Sequence, residues 1–248
     1  MNKILDQERD LKRGQKRHSC QSPDTRTTKT TSSAWYVRPA INIIAVCCYF
    51  ALKCFGASWQ IQLRGRENIE CTLARGEKII AAFWHQQYLP LFIVLRDISG
   101  CTFTSDSFRG RVIQRLCRMM GIECKILSAD HACAEQQLLN AAMHYPALAL
   151  AIDGPLGPYH VAKTGAIRVA SMSHNTIVPV VCRGRRQWLN KTRWDKFAIP
   201  APFTHIVAIF DQALTVPTTH DKDLLHDYAT QLTNRLLQLE QEAQTVLE

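Results

Sequence analysis

The sequence predicts an α/β protein, a layered αβα arrangement around a largely parallel central sheet, preceded by a membrane-associated helix. Three observations lead there. Short apolar runs of strand length recur between stretches with helical spacing, a Gly- and Pro-rich loop follows one of those runs at once, and one apolar stretch stands apart near the start.

Residues 1–34 are polar and basic, with the run Arg9-Asp10-Leu11-Lys12-Arg13-Gly14-Gln15-Lys16-Arg17-His18. Such a composition cannot bury enough apolar surface to offset ordering, so a disordered tail is predicted. Residues 35–60 form a membrane-associated helix in this reading, since Ala40 to Trp59 is apolar apart from Asn42 and Lys53, and aromatic residues flank it. Its length suits a bilayer crossing, but Lys53 and modest hydrophobicity favour a helix in or dipping into the interface; a core helix is the third option. The remaining residues, 61–248, make the α/β domain.

Within that domain, Lys78 to Trp84 reads as a buried strand, Cys101 to Thr104 as a second and Ile122 to Leu127 as a third. Ser107 is placed to cap a helix ending at Gly121, and Asp130 to start one running through Ala142. Ala147 to Ile152 is the next strand, then come a helix over 166–172, a strand over 176–181, a Trp- and Arg-rich loop, a strand over 205–210 and a helix over 224–247. Strands alternating with helices of this length imply helices on both sheet faces.

A length of 248 residues with 46% hydrophobic residues suits one such domain and an appendage. The net charge of +9 points to an anionic partner: nucleic acid, a membrane leaflet or a phosphorylated substrate. The 10 cysteines include no Cys-x-x-Cys pair and several lie in apolar helical patterns, which fits a reducing compartment. No metal and no cofactor are expected, because no His and Cys spacing is zinc-like. With no aromatic and basic RNA motif, nucleic acid is excluded as a partner.

Two features carry chemistry. His85 follows the end of a buried strand, where ligands of parallel sheets collect, and an imidazole there can take a proton from a hydroxyl. The loop Asp153-Gly154-Pro155-Leu156-Gly157-Pro158 is stiffened by two Gly-Pro pairs while its glycines permit close approach, and Lys163-Thr164-Gly165 follows where a helix can begin. The spacing is not that of a P-loop, so nucleoside triphosphate binding is set aside.

Phe83-Trp84-His85, the segment Ser105 to Gly121, the block Asp153 to Pro158 with Lys163 and Gly165, Pro179, and the run Trp194 to Phe203 occur in the order seen in the lysophospholipid acyltransferase-like superfamily. The chain resembles its bacterial branch with the Asp-Gly-Pro-x-Gly-Pro motif, from about Trp59 to Val216. The resemblance implies transfer of a fatty acyl group from acyl-CoA or acyl carrier protein to a hydroxyl of a lysophospholipid or related lipid acceptor. It further implies the inner membrane and His85 as general base, and the cysteine usage favours the cytoplasmic face of that membrane.

The sequence departs from the pattern in three places. Pro90 stands where the superfamily often has the Asp of a His-Asp dyad, Ser107 and Arg109 replace a His and an Asp, and Ile126 to Ala129 replace an Arg-Gly-Ser-Ser block. The carboxylate partner of His85 is therefore either Asp106 or Asp153. Substrate-binding candidates are Ser105, Arg109, Gly110, Gly154, Pro155, Gly157, Pro158, Lys163, Gly165 and Pro179, the last shaping an acyl pocket by resemblance. Arg183, Arg185 and Arg186 with Trp188 suit either lipid phosphates or a plain exposed loop. These departures also motivate an alternative, a catalytically inactive lipid-binding membrane protein on the same scaffold.

Overall fold

The computed structural model describes residues 34–248, so the basic run and the rest of the predicted tail lie outside the described residues. Helix α1 (Ala34–Ser58) leads into β1 (Gln60–Arg64), α2 (Glu67–Ala74) and β2 (Ile79–Phe83). A short 3-10 turn, His85–Gln87, joins β2 to α3 (Tyr88–Val94). Then follow β3 (Cys101–Ser105), α4 (Phe108–Met119), β4 (Glu123–Leu127), α5 (His131–His144), β5 (Ala147–Ala151), α6 (Thr164–Ser173) and β6 (Thr176–Gly184). A hairpin of β7 (Gln187–Leu189) and β8 (Ala198–Pro200) precedes β9 (His205–Phe210) and α7 (Lys222–Leu247).

The seven-stranded sheet has the order β1-β9-β6-β2-β5-β3-β4. Neighbours from β6 to β4 run parallel, as predicted, while β9 is antiparallel to β6 and carries β1 parallel to itself. The reversal follows from connection length. A short segment with a hairpin joins β6 to β9, whereas parallel neighbours need a crossover. That hairpin lies where the sequence predicts only a loop, and β1, α2 and α3 are further elements that its apolar patterning left unassigned.

Side-chain alternation along the strands divides the core in two. Ile80 and Ala82 of β2 and Trp84 just beyond it, with Leu148, Leu150 and Ile152 around β5, pack against α6 and α7. Ile79, Ala81, Phe83 and Ala147 face the other way, onto α2, α3 and α4. Helix starts obey the predicted caps: the Ser107 hydroxyl accepts from the Gly110 N–H at 3.0 Å, and the Asp130 carboxylate from Cys133 N–H at 2.9 Å.

Pro179 lies inside β6 opposite Ala82, not at a strand start. Pairing with β9 begins one residue later, at Val180, and the Pro179 carbonyl still accepts from Asp211 N–H at 3.0 Å. The missing N–H thus falls where the β9 ladder ends, which makes an interior proline tolerable.

Helix α1 is, among the described residues, the one helix long and apolar enough by length and composition to cross a membrane. Ile41 and Ala45 meet Val112 of α4, and Leu52 joins the second core cluster. Its other face is bare, with Ile43 63% and Phe50 61% exposed. Urea titration should separate these faces: Leu232→Ala, fully buried in α7, is expected to cost about 2–5 kcal/mol, and Ile43→Ala less than about 0.5 kcal/mol.

Candidate active site

The site is set by strand register. Phe83 of β2 lies beside Ala151 of β5, and the Ile152 N–H donates to the Phe83 carbonyl at 3.0 Å. Two residues further along each chain, the same alignment brings His85 beside Asp153. There the backbone N–H of His85 donates to Asp153 Oδ1 at 3.0 Å, and the ring nitrogen Nδ1 stands 3.7 Å from the same oxygen.

Two glutamines hold the turn. Gln87 accepts from the Cys182 N–H of β6 at 3.0 Å and donates to Glu240 of α7, which also pairs with Arg183 at 3.3 Å. Gln86 donates to the Lys196 carbonyl at 3.1 Å and accepts from the Tyr159 hydroxyl at 3.3 Å. His85 is thereby anchored on both flanks, with its ring partly open at 27% exposure.

Burial dominates the electrostatics. Asp153 has no exposed surface, and its pKa is pushed up from about 3.8 to about 7, mainly by desolvation and against the pull of the His85 N–H. Its Oδ2 is buried without a partner. His85 is moved below its usual 6.5, again chiefly by desolvation, with the Asp195 carboxylate raising it and Arg109 and Arg193 lowering it. Asp195 is itself buried and clamped by Arg193 through contacts of 2.9 and 2.5 Å. A neutral imidazole at physiological pH follows, the state a general base requires.

An apolar channel of about 130 Å³ begins at His85 and Tyr88 and continues between the sheet and α3, past Leu91, Phe92 and Ile113 toward Ile98 and Ile122. Its sheet wall includes Ala81 in β2 and Ala147, Ala149 and Ala151 in β5, with Ile79 and Phe83 of β2 and Cys101 and Thr102 of β3. Small side chains on alternate positions leave the room that Leu148, Leu150 and Ile152 fill on the opposite face.

The loop after β5 is shaped around its neighbours. Gly154 and Gly157 both take left-handed backbone conformations, φ 68° and 72°. A Cβ on Gly157 would meet the Trp194 ring at 2.7 Å, and one on Gly154 would meet the Lys163 side chain at 3.0 Å. Lys163 is exposed and precedes α6, its N–H donating to the Ile152 carbonyl at 2.8 Å. Pro155 and Pro158 are exposed on the loop, and Gly165 is exposed in the first turn of α6 with open space around it.

Other predicted residues lie further out. Asp106 is turned toward Arg111 at 2.8 Å, with no contact to His85, so of the two acids considered only Asp153 stands beside the imidazole. Ser105 pairs with Ser107 at 3.1 Å, and Gly110 is needed for packing, because a Cβ there would lie 1.9 Å from the Ser105 carbonyl. Arg109 is exposed at the start of α4, where its charge reaches His85. Pro179 is not among the residues lining the channel. Pro90 sits in the first turn of α3, where its ring is accommodated without loss of a helical bond.

Tyr88, Arg193, Trp194 and Asp195 complete the surroundings of His85 and are absent from the site residues expected from sequence. Trp194 lies 5.6 Å and Tyr88 6.1 Å from the His85 ring, centroid to centroid. The Trp194-Asp195 block was visible as a motif, but nothing in its spacing placed it across the cleft.

No protein-family profile and no curated protein matches the chain. Among solved structures, the crystal structure of the 1-acyl-sn-glycerophosphate (LPA) acyltransferase from Thermotoga maritima is similar at a TM-score of 0.49 and 14% identity, covering 81% of this chain and 78% of that one.

The folded chain holds the Asp153 proton up to about pH 7, while an unfolded chain releases it near 3.8. Its burial is therefore least costly in acid, and destabilises progressively as pH rises through that window. Asp153→Asn keeps an acceptor for the His85 N–H and cannot ionise. In urea titrations at pH 8 it should match or exceed the parent, by up to about 4 kcal/mol; a less stable variant would contradict this account.

Proposed function

We propose that the chain is an acyltransferase that moves a fatty acyl group from a thioester, on coenzyme A or acyl carrier protein, to a hydroxyl of a lysophospholipid or related lipid, working at a membrane surface. The observation supporting this most directly is an apolar channel that ends at a neutral histidine beside a buried carboxyl group.

The acyl chain lies in the channel with its thioester carbonyl at the mouth. His85 presents Nδ1 to Asp153, leaving Nε2 for the acceptor hydroxyl. The hydroxyl proton passes to Nε2 as the oxygen attacks the carbonyl carbon; the carbon–sulfur bond then breaks and the thiolate takes the proton back. Ionised Asp153 steadies the imidazolium between these steps. Arg109 and Lys163 supply positive charge for an anionic acceptor or the donor's phosphates.

His85→Ala should lower transfer of radiolabelled acyl groups by about 10²–10⁴-fold, and Asp153→Asn by about 10²-fold or more, with the fold retained. Since the His85 pKa lies below its usual 6.5, leaving the ring neutral near pH 7, and Asp153 ionises near 7, kcat/KM is expected to climb through pH 7 and then level off. Undiminished turnover by His85→Ala would eliminate this mechanism; stable binding of an unreacted donor by both parent and variant is instead what the lipid-holding alternative requires. Ala149→Phe, which fills the channel, should reduce kcat/KM for long donors relative to short ones by about tenfold or more.

A further inference from the structure

A second basic cluster lies on α4, among residues that do not line the channel. Arg111, Arg115 and Arg118 follow one another at spacings of four and three, so they share a face of that helix. Together with Arg38 and Asn42 of α1 they line a groove of about 220 Å³ between the two helices. Arg118 is about 13 Å along α4 from Arg109, the arginine whose charge reaches His85.

Most of the described arginines have a carboxylate partner; outside the groove, Arg109, Arg185 and Arg186 lack one among the described residues. Arginines such as Arg64, Arg66, Arg168 and Arg235 are each held by a carboxylate. Among the described residues, Arg111 alone of the groove is paired, with Asp106; Arg38, Arg115 and Arg118 have no acid within ion-pair distance. The Nε of Arg115 is buried with no hydrogen-bond partner, a donor whose desolvation nothing offsets. Packed basic side chains without acids are tolerable where an external anion supplies the acceptors. The neighbouring surface says which kind: the groove adjoins α1, which packs on Val112 through Ile41 and Ala45 and leaves Ile43, Ile44 and Phe50 exposed.

We infer that this groove binds the phosphate of an anionic bilayer phospholipid, whose hydrocarbon lies along the exposed face of α1, and so seats the enzyme on the membrane. The inference rests on the proposed function only in taking a bilayer as the place of work. Guanidinium forks suit phosphate oxygens in pairs, and Arg38 and Arg118 at the groove's rim can follow the headgroup with their long stems.

Co-sedimentation of the full chain with vesicles tests it, comparing phosphatidylcholine alone with phosphatidylcholine plus phosphatidylglycerol. The variant R38Q/R115Q/R118Q is set against R75Q/R168Q/K191Q, which removes the same charge elsewhere and leaves residues 1–33 intact. Each groove arginine is expected to be worth about fivefold in partitioning, so the groove variant should lose its preference for anionic vesicles by tenfold or more. The charge-matched control should lose less than about threefold, and both should bind neutral vesicles like the parent.

Equal losses in the two variants would show diffuse charge attraction and overturn the site, as would an unaffected groove variant or one that also loses neutral vesicles. Millimolar inorganic phosphate that erases the preference at constant ionic strength would assign the groove to free phosphate and overturn the lipid reading. Groove-dependent vesicle binding by a chain that transfers no acyl group would sink the acyltransferase reading and leave this one standing.

Discussion

The register in which β2 lies beside β5 is the constraint on which the site depends. Because side chains alternate with period two, a slip of one residue would turn every side chain of β2 to the opposite face and put Trp84, not His85, at the level of Asp153. Deep burial on both faces makes such a slip prohibitive: Ile79, Ile80, Ala82 and Trp84 have no exposed surface. The fold thus positions a histidine and a carboxyl group through two strand ends, with no need for a pair spaced along one helix or loop.

The same burial that fixes the register tunes the chemistry. Asp153 lies where water cannot reach and its pKa rises; His85 lies at the border and its pKa falls; the two are drawn toward each other's titration range. Asp195, Arg193 and Arg109 modulate this without displacing desolvation as the leading cause. Gln86 and Gln87 hold the turn in place by tying it to three separate parts of the domain.

Much of this was legible beforehand because it is local. Ser107 and Asp130 announced helix starts, the apolar runs announced strands, and the Gly-Pro loop announced close packing, now seen as the approach of Trp194 and Lys163. What stayed hidden is non-local. Nothing in the spacing of Asp106 and Asp153 decides which acid reaches His85, since that depends on strand order. Arg193 and Asp195 come to the site by tertiary packing alone, whereas Tyr88 follows His85 by three residues in the same turn. The channel itself was written in Ala147-Leu148-Ala149-Leu150-Ala151-Ile152, where small and large residues alternate, but the pattern reads as a buried strand until one face is known to lie under α3. The antiparallel placement of β9 was equally beyond reach, because it turns on how the hairpin folds back.

An alanine-walled channel in line with a hydrophobic core has a further consequence. Its lining atoms face no neighbour on one side and forgo dispersion contacts that a filled core would supply. Hydrocarbon lodged there would complete the packing and add its binding free energy to folding. The protein's resistance to unfolding, and with it its lifetime against proteolysis, would then rise and fall with the supply of free acyl chains, making cellular abundance a readout of lipid flux.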